Sequence, residues 1–281
     1  MIGLSLAANA CGLLAGLEDR SLLDETAADG DAQPADIRGR VDANDESDAS
    51  SRPLSYQEVI LGDRPIAYWR MGTGYGTNVP DESDHGYNLT LYGVSDAGAS
   101  SVVVGDPTGA TRFDGTTTYG SAREDLDFID SAPFTLEAWT NDVGANEATR
   151  DLFFKNDYGA TAGRAGIGLY VTTTEGFIFE RWVRGEVRTA RGGAPIGVVR
   201  HLVARYDGRT MSLFINGSEG SRTEDLRAQA AKRGPFLLGA LGAPGNYTGC
   251  YQGVVDEVAL YRSALTAEQI QRHYTVGTAP R

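Results

Sequence analysis

The side chains able to do chemistry in this sequence are few and widely spaced. Asp256 and Glu257 stand side by side in the apolar run Gly253-Val254-Val255-Asp256-Glu257-Val258-Ala259-Leu260-Tyr261. Retaining glycoside hydrolysis needs two carboxyl groups about 5–5.5 Å apart on one face. Neighbours on a strand point to opposite faces, so adjacency does not supply such a pair. Alternation places Val254, Val258 and Leu260 on one face and Val255, Ala259 and Tyr261 on the other. Each carboxylate therefore interrupts an apolar face and needs a partner, because unpaired buried charge is costly. Glu124, Asp125 and Asp127, beside Asp130, read as a solvated acidic loop. His85, His201 and His273 stand alone, none with a Glu at zinc-motif spacing, and no Gly-x-Ser-x-Gly elbow occurs. Nothing here marks an enzyme, although the absence of a motif does not exclude one.

Binding chemistry is better represented. Calcium takes six to eight oxygens, mixing carboxylates with backbone carbonyls. Asp114, in a Phe-Asp-Gly turn, and Asp256 are the best carboxylates for it. The expectation is that they share a calcium ion pinning the last strand to an earlier one. The competing expectation is that Asp114 caps its own turn and Asp256 pairs with an arginine. Asp81 and Asp84, before Gly86, are further ligand candidates, though residues of this kind more often simply make turns. Trp182, between Arg181 and Arg184, has the character of a sugar-stacking residue or of a half-buried sheet tryptophan. Tyr158, Tyr247 and Tyr251 lie in glycine-rich loops, where binding residues gather. Trp69 and Trp139 are expected in the core.

The elements that must position these residues are mostly strands. The chain has 281 residues, 36 of them glycine, and 41% are hydrophobic. Residues 134–140 alternate as a strand does. Asp207-Gly208 marks a two-residue turn between Leu202-Ala204-Tyr206 and Met211-Leu213-Ile215. Residues 56–61 suit a short helix or strand, and 226–233 a helical turn. At the C-terminus Thr266 and Gln269 form a capping box, with Leu265 and Ile270 as its hydrophobic staple and Gly277 as a stop. Strands at this spacing, closed by one short helix, predict an all-β, two-sheet sandwich rather than βαβ units.

Before the strands come two segments of another kind. Residues 1–16 are small and apolar, too short for a membrane span. They resemble the end of a secretory leader with Ala10-Cys11-Gly12 at the cut, which would make Cys11 a lipid attachment point. Residues 17–52 hold no aromatic residue. From Glu18 to Asp48 there are eleven acidic residues against three arginines, most of the net charge of −13. Such a segment reads as a self-repelling tether. Overall acidity without a basic patch argues against nucleic acid. Cys250 is expected as a lone thiol.

Four motifs carry a resemblance. They are Ile66-Ala67-Tyr68-Trp69-Arg70, Arg112-Phe113-Asp114-Gly115, Phe134-Thr135-Leu136-Glu137-Ala138-Trp139, and the run from Val255 to Ile270. In this order they resemble the laminin G-like, concanavalin A-like domains of bacterial surface proteins, over residues 55–277. The resemblance implies an antiparallel jelly-roll sandwich at 53–281, with calcium as a possible cofactor. It implies an exported, surface-tethered, non-catalytic carbohydrate-binding or adhesion protein, with a glycan or surface protein as partner. Its location would be the outer membrane or cell surface, held by lipid, or else periplasmic or secreted. The alternative is a diverged glycan-active hydrolase or lyase, which would need carboxylates at near-alternate positions on a single strand.

Overall fold

The computed structural model describes residues 52–93, 98–144, 149–156, 166–193, 196–229, 234–243 and 246–280. The expectations for residues 1–16, for nearly all of 17–52, for Cys11 and for Tyr158 fall outside these residues. In chain order the first elements are α1 (Tyr56–Gly62), β1 (Ala67–Trp69), β2 (Asn78–Val79), β3 (Leu89–Tyr92), β4 (Thr111–Asp114), β5 (Tyr119–Ala122), β6 (Phe134–Asp142) and β7 (Arg150–Asn156). Next come β8 (Gly166–Thr172), β9 (Gly176–Val183), β10 (Glu186–Arg191), β11 (Arg200–Tyr206), β12 (Thr210–Ile215) and β13 (Ser218–Glu224). The last are β14 (Phe236–Leu238), β15 (Leu241–Ala243), β16 (Asn246–Thr248), β17 (Gln252–Tyr261) and α2 (Ala267–Thr278).

Two antiparallel sheets form a sandwich. One runs β1-β17-β6-β11-β12-β13, with β4 also on β17; the other runs β10-β9-β8-β7-β14-β5-β3-β2. The core between them takes Trp69, Phe113, Leu136, Phe153, Leu169, Phe179, Leu238 and Val258 from both sheets. A second cluster covers the outer face of the seven-stranded sheet. There Tyr56 and Ile60 of α1 and Ile270 of α2 pack on Trp139, Val203 and Tyr261. Trp69 and Trp139 are thus both interior.

Local chemistry explains the ends of these elements. Both helices open with a complete capping box, Ser55 with Glu58 and Thr266 with Gln269. The β11–β12 turn differs from expectation by one residue. Asp207 N–H bonds Thr210 O, so the two central residues are Gly208 and Arg209. Gly208 has φ +95° at the first central position, the signature of a type II′ turn. The Asp207 carboxylate does not sit inside the turn; it accepts the amides of Arg209 and Thr210. Residues 226–229 form no helical turn, and Asp130 instead bridges to Gln229.

Gly277 is not the stop of α2. The helix runs to Thr278, and Gly277 is buried against the Trp139 indole. A Cβ there would lie closer than 3.0 Å to Trp139 Cζ2, so the glycine sets how near the helix can approach. Gly277→Ala is therefore expected to destabilise the fold by about 1–3 kcal/mol, despite alanine's better helix propensity. Urea denaturation reads this directly; an unchanged midpoint would show that the helix shifts freely.

The strand carrying the candidate carboxylates breaks its own alternation. The pairing of β17 with β6 slips between Asp256 and Ala259, and Glu257 has φ +47°. Positive φ is uncommon for a residue with a Cβ. The bulge reverses the parity of the strand. Val255, Val258 and Leu260 face the core, while Ala259 and Tyr261 face the helices. The expected grouping of Val254 with Val258 is thus incorrect. Asp256 and Glu257 also end on the same side, away from the core.

Candidate functional site

The face of the eight-stranded sheet turned from the core carries the arrangement best suited to a ligand. Tyr92 on β3 lies opposite Tyr119 on β5. Their rings stack at 4.7 Å with an interplanar angle of 11°. Tyr247, from the β15–β16 hairpin, packs on Tyr119 at 4.3 Å. Phe154, Leu237 and Ala240 support this group from beneath. Tyr92 is 45% exposed. Burial raises the Tyr119 hydroxyl to about 12, with Tyr247 and Tyr92 adding to it, so it stays protonated at neutral pH.

Polar groups continue across the same face. Asp151 on β7 lies opposite Tyr170 on β8, and Glu180 on β9 lies opposite Gly168. Gly168 has no side chain, and Glu180 reaches over it, its Oε1 3.4 Å from where a Cβ would stand. Burial, then Glu180 and Asp151, push Tyr170 to about 12. Trp182 is half-buried on β9, opposite Val187 of β10 and Gly166 of β8. The structure thus brings Tyr247 and Trp182 to one face but not to one another. Tyr247 packs on Tyr119 of β5, and four strand steps separate β9 from β5, or about 19 Å at the usual spacing.

The metal expectation fares differently. Asp114 lies opposite Gln252, four residues before Asp256 on β17, or about 13 Å of strand. The two cannot share an ion. Asp114 caps its own turn, accepting the amides of Thr116, Thr117 and Thr118 at 2.7–2.9 Å and the Thr117 hydroxyl. Burial alone would raise its pKa; these bonds outweigh it and hold the carboxyl well below its usual range. Among the described residues Asp256 meets no arginine. Its Oδ2 accepts the Ser101 hydroxyl at 2.6 Å and the Val102 amide at 3.0 Å. Arg70 pairs instead with Glu257 and Asp106, and Tyr68 donates to Glu257. Burial, with Asp106 nearby, raises Asp256 to about 7 against the pull of the Ser101 bond.

Two histidines that stood alone in sequence share one carboxylate. Glu137 Oε1 meets His201 Nε2 at 2.7 Å and His273 Nδ1 at 3.0 Å, and also accepts from Tyr56. Its Oε2 accepts from Tyr261. His273 Nε2 lies 2.7 Å from Asp63, which also binds Arg272. Glu137, His201 and His273 are sealed under α1 and α2, so the cluster ties the helices to the sheet. The signal for it was Glu137 itself, a carboxylate inside an apolar strand. Tyr92 and Tyr119 carried no comparable signal, since each sits at the end of a strand of only four residues.

The acidic loop at 124–127 rims a cavity of 530 Å³ floored by Phe128, Ile129 and Pro133. Asp125 there pairs with exposed Arg123, as a solvated loop does. Cys250 is disulfide-bonded rather than a lone thiol.

Comparison with known proteins follows this geometry. The profile of a family described as the concanavalin A-like lectin/glucanases superfamily matches residues 114–271. No curated protein matches the sequence. The binding domain of Paraclostridial Mosquitocidal Protein 1 aligns at TM-score 0.56 and 14% identity over 76% of this chain. The botulinum neurotoxin serotype G binding domain aligns at 0.56 and 11% over 75%. The chain spans about half of each, 52% and 51%. Domain 4 of AbnA, an extracellular GH43 arabinanase from Geobacillus stearothermophilus, aligns at 0.53 and 14% identity over 75% of this chain and 98% of that one. That structure holds arabinotriose.

Proposed function

Since the chain belongs to the concanavalin A-like lectin/glucanase superfamily, we propose that it binds carbohydrate on the outward face of its eight-stranded sheet, at the Tyr92–Tyr119–Tyr247 stack. The exposed ring of Tyr92 in a fixed, supported stack carries this reading. A ring held by neighbours presents a flat apolar surface to a sugar at little entropic cost. Tyrosine hydroxyls, Ser121 and the half-buried Tyr170 and Glu180 supply hydrogen-bonding partners on the same face.

The test is a glycan array followed by calorimetry on the best ligand. Tyr92→Ala is expected to weaken binding at least tenfold, about 1.4 kcal/mol, without lowering the melting temperature appreciably. Unchanged affinity in Tyr92→Ala and Tyr119→Phe/Tyr92→Ala together would remove the site from this face. A second reading rests on Asp151 and Glu180 flanking Tyr170, since hydrolysis also needs two carboxyl groups. Release of reducing ends that Glu180→Gln abolishes would favour it. The apolar segment 1–16 and the acidic segment 17–52 support export, to a compartment where the Cys250 disulfide persists. With two cysteines in the chain, that bridge competes with lipid attachment at Cys11 for the same sulfur; a shift on non-reducing gels that needs both cysteines favours the bridge, and palmitate labelling lost in Cys11→Ser favours the lipid.

A further inference from the structure

Tyr92 closes β3 and Tyr119 opens β5, so both stacked rings hang on strand ends. A strand end frays more easily than a strand centre, and a ring at such an end moves with it. Something beyond the pairing must therefore hold this pair still. Between β4 and β5 the chain crosses from the seven-stranded sheet to the eight-stranded one in four residues, Gly115 to Thr118. Asp114 organises that crossing. Its Oδ1 accepts the amides of Thr116, Thr117 and Thr118 at 2.8, 2.7 and 2.9 Å, and its Oδ2 accepts the Thr117 hydroxyl at 2.5 Å. Bonds to an ionised acceptor are stronger than neutral ones, so four of them leave the crossing little freedom.

The crossing grips the end of β3 in turn. Thr118, 1% exposed, donates its hydroxyl to Gly93 O at 3.1 Å. Gly93 directly follows Tyr92, and it lies so close that a Cβ there would collide with Thr117 O. At its other side the crossing runs straight into Tyr119. Asp114 is itself well founded. Phe113 before it is buried in the core, and Asp114 lies opposite Gln252 in β17.

We propose that Asp114 is a positioning residue for the ligand face: it fixes the 115–118 crossing, and the crossing holds Tyr92 and Tyr119 in place to stack. The proposal rests on the carbohydrate reading for its ligand but not for its geometry. Asp114 touches no sugar. It acts through Thr118 and Gly93, from the opposite sheet.

The experiment reads the stack without a ligand. Near-ultraviolet circular dichroism of the full chain is compared with that of Tyr92→Ala, and the difference is the band that the stack contributes. Asp114→Ala and Thr118→Val are expected to lose most of that band while keeping the far-ultraviolet spectrum. Asp114→Asn keeps an acceptor oxygen and should keep most of the band. Placed on Tyr92→Ala, the Asp114→Ala change should alter the near-ultraviolet spectrum no further. Asp207→Ala is the control, because Asp207 caps the β11–β12 turn through the amides of Arg209 and Thr210, on the other sheet. It should lower the melting temperature as Asp114→Ala does and leave the band whole. Should Asp114→Ala fail to fold, Thr118→Val decides by itself. A full band in Thr118→Val would overturn the proposal, as would an equal loss in Asp207→Ala. Glycan-array binding should fall with the band. A wild type that binds no glycan sinks the sugar reading alone, and the band still decides the role of Asp114.

Discussion

Replacing Arg70 by methionine will cost about 3–5 kcal/mol of folding stability, the range seen when one partner of a buried ion pair is removed. The substitution keeps the aliphatic stem and deletes the charge. Asp106 and Glu257 then lose their guanidinium bonds while still buried. Arg70→Lys should recover only part of the loss, because an ammonium cannot hold two carboxylates in fixed planar geometry. Denaturation in chelator isolates this term from any bound cation. A loss below about 1 kcal/mol for Arg70→Met would mean that protons already neutralise the carboxylates.

The second large effect belongs to Glu137. Its replacement by alanine will cost about 3–5 kcal/mol, because donors from Tyr56, Tyr261, His201 and His273 lose their acceptor at once. The same cluster makes stability depend on pH. Burial disfavours the His273 cation, but Glu137 and then Asp63 outweigh this and raise its pKa above 6.5. Burial likewise opposes the Glu137 carboxylate, yet His273 and His201 hold its pKa below 4.5. His273 therefore adds stability that is complete below about pH 6.5 and is lost as pH rises through its folded value. Glu137 adds stability that is complete above about pH 4.5 and is lost as pH falls. Denaturant midpoints should peak between these limits. His273→Gln should flatten the alkaline limb; a wild-type midpoint level from pH 6 to 9 would refute this linkage.

Much of the fold was legible because several signals agreed. The C-terminal strand and helix announced themselves through Thr266, Gln269 and the staple, all of which act within a few residues. The β6 and β11 strands showed their period directly. The bulge at Glu257 was not legible, because alternation assumes an unbroken strand and glutamate gives no sign of positive φ. That single residue moved Asp256 and Glu257 from opposite faces to one. The Glu137 cluster joins residues from α1, β6, β11, β17 and α2, and nothing in local sequence pairs His201 with His273. The rule that found Asp256, a carboxylate among apolar neighbours, applied equally to Glu137. The tyrosine stack depends on the order β14-β5-β3 and on a hairpin folding back, which strands of three or four residues do not reveal.

The placing of the two helices has a mechanical consequence. The folded unit begins with α1 and ends with α2, and the two touch through Asp63, Arg272 and His273 on the same sheet. A pull on either end of the unit loads that contact first, peeling a helix from the back while the sandwich strands stay paired. The tyrosine face, on the far side, keeps its shape until the latch gives way.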